Sequence, residues 1–201
     1  RSPEQLAMLW TEDPTQNLRE SRSAAWNVEQ WRSQSQTFAD IAIFDSVSTT
    51  LTEADGAEQI TGGNISPNLL PLLGVQPVQG RSWSSKEAEQ RQRLVLISHR
   101  FWQARFGGLR EALGATLVLD GLPTQIVGIL PPDFQVAGFD ADVWEPNRMS
   151  RQSERGGEMW FVVGRLRPAV TFEEAQGEMS AIARRLNDQS PVDRQRGIGV
   201  V

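Results

Sequence analysis

Ser98 and His99 are adjacent, and His99 is the only histidine in the 201 residues. A hydroxyl beside an imidazole suggests a nucleophile and its base, but that chemistry requires the two side chains to converge. Neighbours at a helix start project in different directions, so Ser98 reads as an N-cap and His99 as a first-turn residue. One histidine without any cysteine also argues against zinc. Among the carboxylates, Asp140 with Asp142 and Glu173 with Glu174 are close in sequence. Glycoside hydrolysis needs two carboxyls across a cleft, and spacing alone does not place them there. Glu173 and Glu174 are accounted for by a helix start. Asp140 and Asp142 lie beside Phe139 and Trp144, in a Gly138 to Trp144 loop where a sugar or peptide could stack, though a solvated loop is the simpler reading. The loop offers too few regularly spaced oxygens for calcium. Lys86 follows no glycine-rich phosphate loop, and Gly62-Gly63 and Gly107-Gly108 read as turn glycines, too short for a dinucleotide fingerprint. No catalytic, cofactor-binding or metal-binding residue emerges.

The seven tryptophans divide into two groups. Trp31, Trp102 and Trp160 fall on periodic apolar faces and are expected in the core. Trp10, Trp26, Trp83 and Trp144 lie near segment ends or loops, where one or two are expected to be exposed. The composition is globular, with 39% hydrophobic and 22% charged residues. Net charge is −5, and the basic residues, all arginine except Lys86, form no concentrated patch. That pattern argues against nucleic acid as a partner. The absence of cysteine excludes disulfides and leaves the compartment open. No apolar run approaches the roughly 18 residues that span a bilayer, and no signal peptide is visible at Arg1 to Trp10. The sequence starts without methionine and stops at Ile198 to Val201, which reads as a strand just beginning. Both features suggest a piece of a longer chain.

These residues are carried on three blocks. Residues 4–10 read as a strand, 25–37 as a helix, and 40–52 and 57–65 as strands joined through Asp55-Gly56. Ser66-Pro67 is expected to open a short helix that Gly74 ends. Ser84 to Arg93 reads as polar and mobile. The second block has a buried strand at Leu94 to Ile97 and the Ser98 helix, which stops at Gly107-Gly108. A hairpin of residues 115–119 and 124–130 turns through Asp120-Gly121, and Pro131-Pro132 ends it. The third is a β-α-β unit: a strand at Trp160 to Arg167, a capping box at Thr171 to Glu174, a helix to about Asn187, and a strand at 196–201. Phe172, Ala175, Met179, Ile182 and Leu186 form the helix's core-facing stripe, with Arg184 and Arg185 in its last turn.

Several segments, in order, resemble the periplasmic core domain of MacB-like ABC-transporter permeases, especially the large orphan permeases of acidobacterial type. They are Trp31-Arg32 with Phe38, Ser66-Pro67-Asn68 with Leu73-Gly74-Val75, Gly80-Arg81, and Val95 to Ser98 with Trp102. Next come Arg105-Phe106-Gly107-Gly108, Leu119-Asp120-Gly121, and Val127-Gly128 with Leu130 to Phe134. Val143-Trp144 with Pro146, and Gly164-Arg165-Leu166 leading through Pro168 to Val170-Thr171, complete the set. Ala169 departs from the glycine expected before Val170-Thr171.

The resemblance implies an α+β fold: a porter-like split β-α-β lobe from residues 1–81 and 151–201, with a mostly-β lobe inserted at 82–150. Ser84 to Arg93 and Pro146 to Gly157 are the expected borders. It implies a non-enzymatic domain on the periplasmic side of the cell inner membrane, coupling ATPase-driven motion to export, efflux or partner-protein contacts. The implied partners are the protein's own transmembrane helices and a cytoplasmic ATPase domain or subunit. A periplasmic adaptor or exported substrate, and a second permease copy, complete the set. The resemblance transfers no catalytic residue and no cofactor. Two rivals come from other classes: a free-standing extracytoplasmic sugar- or peptide-binding protein using the Gly138 to Trp144 loop, and a hydrolase using scattered carboxylates. A deep aromatic pocket with convergent carboxylates would favour either rival.

Overall fold

The computed structural model describes residues 3–13, 18–147, 159–189 and 197–201. Its strands are β1 (Leu6–Asp13), β2 (Leu18–Ser21), β3 (Ser23–Ala24), β4 (Phe38–Glu53), β5 (Gly56–Ile65) and β6 (Gln79–Gly80). These are followed by β7 (Leu94–Ile97), β8 (Thr116–Leu119), β9 (Leu122–Ile129), β10 (Val143–Pro146), β11 (Met159–Leu166) and β12 (Gly197–Val200). The helices are α1 (Ala25–Gln34), α2 (Leu69–Leu73), α3 (Ser85–Glu89), α4 (His99–Phe106) and α5 (Phe172–Gln189). Two compact units divide the chain: Arg1–Ile43 with Met149–Val201, and Phe44–Arg148.

In the first unit the strand order is β12-β1-β11-β4, and β1 runs antiparallel to both β11 and β12. The passes β1-α1-β4 and β11-α5-β12 interleave their strands, which is the split β-α-β arrangement. Burial alternates along β1, so Ala7, Leu9 and Thr11 face one side. That side packs on Val28 and Trp31 of α1 and on Ala175, Met179, Ile182 and Leu186 of α5. Burying one such side chain contributes about 1.5–3 kcal/mol, so the stripe is what holds α5 in place. Thr171 and Glu174 form the expected capping box: each side chain bonds the other residue's backbone N–H, at 3.2 and 2.8 Å. Two details of α5 differ from the sequence reading. Phe172 is 41% exposed, because at the first helical position the stripe has not yet reached the sheet. The helix also runs to Gln189, which leaves Arg184 and Arg185 inside it rather than in the last turn. Ala169, where glycine was expected, has φ +66°, the left-handed conformation that glycine adopts without strain.

The loop between α1 and β4 is fastened to α5 by one carboxylate. Glu178 accepts hydrogen bonds from the Ser35 hydroxyl at 2.7 Å and from the N–H groups of Gln36 and Thr37 at 2.7 and 3.0 Å. The Thr37 hydroxyl donates to it as well. Desolvation pushes the Glu178 pKa up, and the donors on Thr37, Ser35 and Gln36 together outweigh it, so the group lies below the usual carboxylate range.

In the second unit the strand pairings close on themselves. β4 pairs with β5, β5 with β10, β10 with β7, β7 with β9, β9 with β8, and β8 returns to β4 through Leu51↔Leu119 and Thr52↔Val118. Closure gives each strand of that ring a partner on both sides. Its core includes Leu51, Val95, Ile97, Leu117, Leu119, Ile126 and Val143, joined by Phe101 and Trp102 of α4. The β8–β9 hairpin turns through Asp120-Gly121 at φ +50° and +74°, the two-residue geometry that matches strand twist.

Four local expectations are corrected in this unit. Glu53 pairs with Gly56, so the β4–β5 turn is Ala54-Asp55 and Gly56 already belongs to β5. Gly62-Gly63 is not a turn but lies within β5, where a Cβ on Gly63 would sit 2.3 Å from the Trp144 ring of the neighbouring strand. α2 begins at Leu69 with Asn68 as N-cap, and Ser66 instead accepts the Leu69 N–H at its carbonyl. Ser84 to Glu87 forms a capping box that starts α3. The Arg81 guanidinium bonds Glu87 through both carboxylate oxygens, at 2.9 and 2.7 Å, and holds its pKa down to about 2. The S-x-x-E pattern at Ser84-Ser85-Lys86-Glu87 was the available signal for this helix.

The division between units falls between Ile43 and Phe44, inside β4, so residues 44–81 group with the second unit. The pairing of β5 with β10 and of β4 with β8 is the physical reason. Of the Pro146 to Gly157 border, residues 148–157 lie outside the described residues. Among the described residues no helix is long and apolar enough to cross a membrane.

Candidate functional site

In the second unit β7 and β9 run parallel, and both end at one place. β7 leads through Ser98 into α4, while β9 leads through Leu130 into a loop that returns at β10. Divergence of the chain at the carboxyl ends of parallel strands creates a crevice, which is where α/β sheets commonly hold ligands. A groove of about 320 Å³ lies here, lined by Ser98, His99, Arg100, Asp133, Phe134 and Gln135 together with Pro131, Asp140 and Ala141.

Each wall has a local origin. The Ser98 hydroxyl accepts the Phe101 N–H at 3.1 Å and caps α4, so it is occupied as the sequence suggested. The His99 ring stands edge-on to Trp102 with centroids 5.2 Å apart. Arg100 donates to Asp142 at 2.8 Å and reaches Asp140 at 3.5 Å, which ties α4 to the returning loop. The Asp142 carboxylate chiefly, with Asp140 adding to it, raises the Arg100 pKa and keeps the guanidinium charged. Asp142 is further engaged by its neighbours. It accepts the Thr61 N–H at 3.2 Å, and its carbonyl accepts the Ser98 N–H at 2.9 Å. The opposite wall turns tightly at Ala137-Gly138, with φ +48° and +83°, between the reciprocally bonded Val136 and Phe139.

The sequence candidates are thereby separated. Asp140 and Asp142 converge on Arg100, not across a cleft from one another. Trp144 is 1% exposed and packs over Gly63, so it offers no stacking platform, while Phe139 is half-buried, meets Phe44 edge-on at 6.0 Å and does not line the groove. Glu174 is engaged in its capping box and Glu173 is exposed at the same helix start, in the other unit. Trp31, Trp102 and Trp160 are buried as expected, and Trp83 is buried too; Trp10 and Trp26 are half-buried. Gly107-Gly108 does end a helix. Among the described residues no three His, Cys, Asp or Glu side chains gather as a metal site. The side chains that sequence reasoning missed are Arg100, Asp133 and Gln135; the last two were signalled only by their place after Pro131-Pro132.

A sequence profile for the MacB-like periplasmic core domain matches residues 4–182. The chain belongs to that family. No curated protein matches the sequence significantly. Its fold is that of solved family structures. The periplasmic region of MacB from Actinobacillus actinomycetemcomitans superposes with a TM-score of 0.71 at 12% identity, over 97% of this chain and 88% of that one. The extracellular domain of the noncanonic ABC-type transporter YknZ from Gram-positive bacteria gives 0.70 at 16%, over 96% and 99%. A domain described as part of a permease protein from Porphyromonas gingivalis gives 0.72 at 17%, over 98% and 89%. The chain is thus a MacB-like extracytoplasmic domain of the ABC-transporter permease class, with the mixed α and β architecture of that family.

Proposed function

We propose that this MacB-like domain is a non-catalytic module of an inner-membrane permease. It transmits motion driven by a cytoplasmic ATPase to events outside the membrane, through export or contact with an adaptor or substrate. Its two compact units correspond in this reading to a porter-like lobe and an inserted, mostly-β lobe. The observation that carries the reading is the family match over residues 4–182. The chemistry agrees: Ser98 is committed to a cap, and Asp142 to Arg100 and Thr61. Neither is poised as a nucleophile or a general base.

The test uses the absence of native cysteine in the chain. Leu109, 61% exposed, is replaced by Cys in the whole permease, with any cysteine outside these 201 residues replaced by serine, and labelled in cells with a membrane-impermeant maleimide. Labelling from outside is expected, at a rate that changes when the ATPase is trapped with vanadate. Protection from the reagent in intact cells would overturn the location, and a rate indifferent to nucleotide state would overturn the coupling. Ester, peptide and glycoside substrates should turn over only at background. Turnover abolished by His99→Ala or Asp142→Asn in a folded chain would refute the non-catalytic reading.

A further inference from the structure

We propose that the groove at the carboxyl ends of β7 and β9 binds a lysine side chain of a polypeptide outside the membrane. This site is independent of the coupling role proposed above. The groove presents acceptors in surplus. Among the described residues the Asp133 carboxylate and the Gln135 amide, both exposed, and the half-buried His99 ring form no hydrogen bond with another protein group, and all three line it. The one guanidinium present, Arg100, is already matched by Asp142 and Asp140, so Asp133 remains as uncompensated negative charge.

That balance selects the ligand. A phosphate or carboxylate would meet the α4 N-terminus but also Asp133 and Asp140, and like charges at this range repel. A wholly apolar ligand would strip water from Asp133, Gln135 and His99 and give no hydrogen bond in return. An ammonium group carries three donors and no acceptor, complementary to a carboxylate, an amide oxygen and an imidazole nitrogen. The lysine stem is apolar and suits the wall formed by Pro131, Phe134 and Ala141. A volume of about 320 Å³ exceeds a bare ammonium ion and leaves room for the side chain with part of its backbone.

The experiment titrates the ¹⁵N-labelled 201-residue chain with a blocked tetrapeptide, acetyl-Ala-Lys-Phe-Ala-amide. The same peptide with acetylated lysine, with glutamine and with arginine in place of lysine serves for comparison. Saturable amide shifts are expected at Ser98, His99 and Gln135, with affinity at least about fivefold weaker for the acetyl-lysine and glutamine peptides and falling with added salt. Asp133→Asn should weaken the lysine peptide by a similar factor. Asparagine tolerates the φ of +59° at this position, so the loop keeps its conformation. Asp140→Asn, at a carboxylate already shared with Arg100, should weaken it less. Equal binding of the glutamine peptide, preference for arginine, shifts confined to other surfaces, or no effect of Asp133→Asn would each overturn the proposal. So would the absence of saturation up to about 10 mM peptide, a range that still detects very weak complexes.

Discussion

The split β-α-β unit shields one face of its sheet with helices α1 and α5, whereas the unit of residues 44–148 protects its strands chiefly by closing them into a ring. The two solutions place their constraints differently. In the first unit the stripe of Ala175, Met179, Ile182 and Leu186 meets one face of the sheet, so each residue needs to be apolar and roughly the right size. In both units strands distant in sequence lie side by side, and where a ring of one strand covers the backbone of the next a single position must have a particular size. Trp144 of β10 lies over the backbone of β5, and only a residue without a side chain fits at position 63. Hence the α5 stripe should tolerate volume-conserving exchanges, whereas position 63 should resist small additions, as should Gly164 of β11 in the first unit, where a Cβ would meet the Phe38 ring.

The strongest challenge to that contrast is Trp144→Ala, which removes a ring 1% exposed from the ring-closed unit. We expect a loss of about 3–5 kcal/mol in chemical denaturation. A loss close to that of a surface substitution would show that the ring does not depend on this contact. Met179→Ala, at a fully buried site of α5, should cost about 2–5 kcal/mol. Met179→Leu, which conserves volume, should cost less than about 1.5 kcal/mol. A leucine variant as damaging as the alanine would show that the α5 stripe is as demanding in shape as position 63.

The converse test adds one methyl group. Gly63→Ala should destabilise by about 1–3 kcal/mol, because the new Cβ meets the Trp144 ring. Combined with Trp144→Ala, the glycine substitution should become nearly neutral, and a double-mutant cycle measures that coupling. Additive losses would mean that Gly63 is required for some other reason.

Smaller effects come from the Glu178 fastening. Its folded pKa lies below the unfolded value of about 4.3, so its contribution is fully present above that value and is lost as pH falls through the folded one. Glu178→Gln should cost about 1 kcal/mol at pH 7, discounted for partial exposure, and should flatten the acid limb of the stability profile. An unchanged acid limb would assign that pH dependence to other carboxylates. The smallest effect expected is a gain. Ala169→Gly removes a left-handed alanine and should add up to about 1 kcal/mol, seen as a raised midpoint of thermal unfolding. A lowered midpoint would mean that the flexibility glycine adds to the unfolded chain outweighs the relieved strain.

The sequence alone determined those elements whose cause lies within one turn of chain. The Thr171–Glu174 box, the Ser98 cap and the Asp120-Gly121 hairpin each depend on neighbours two to three residues away, and all three stand as read. The apolar stripe of α5 was legible because helical period alone brings Ala175 to Leu186 onto one face. The family, too, could be recognised from short motifs in order. Gly62-Gly63 resembles a turn until the strand bearing Trp144 is laid against it, 81 positions later in the chain. Placing residues 44–65 with the second unit required the Leu51↔Leu119 pairing. Of the groove, the cap at Ser98 was legible, but the meeting of Arg100 with Asp140 and Asp142, and the gathering of Asp133, Gln135 and His99 along one groove, were not. Turns and caps are set by local backbone geometry and nearby hydrogen bonds, whereas strand partners and groove walls are chosen by burial over the whole chain, which no short window of sequence contains.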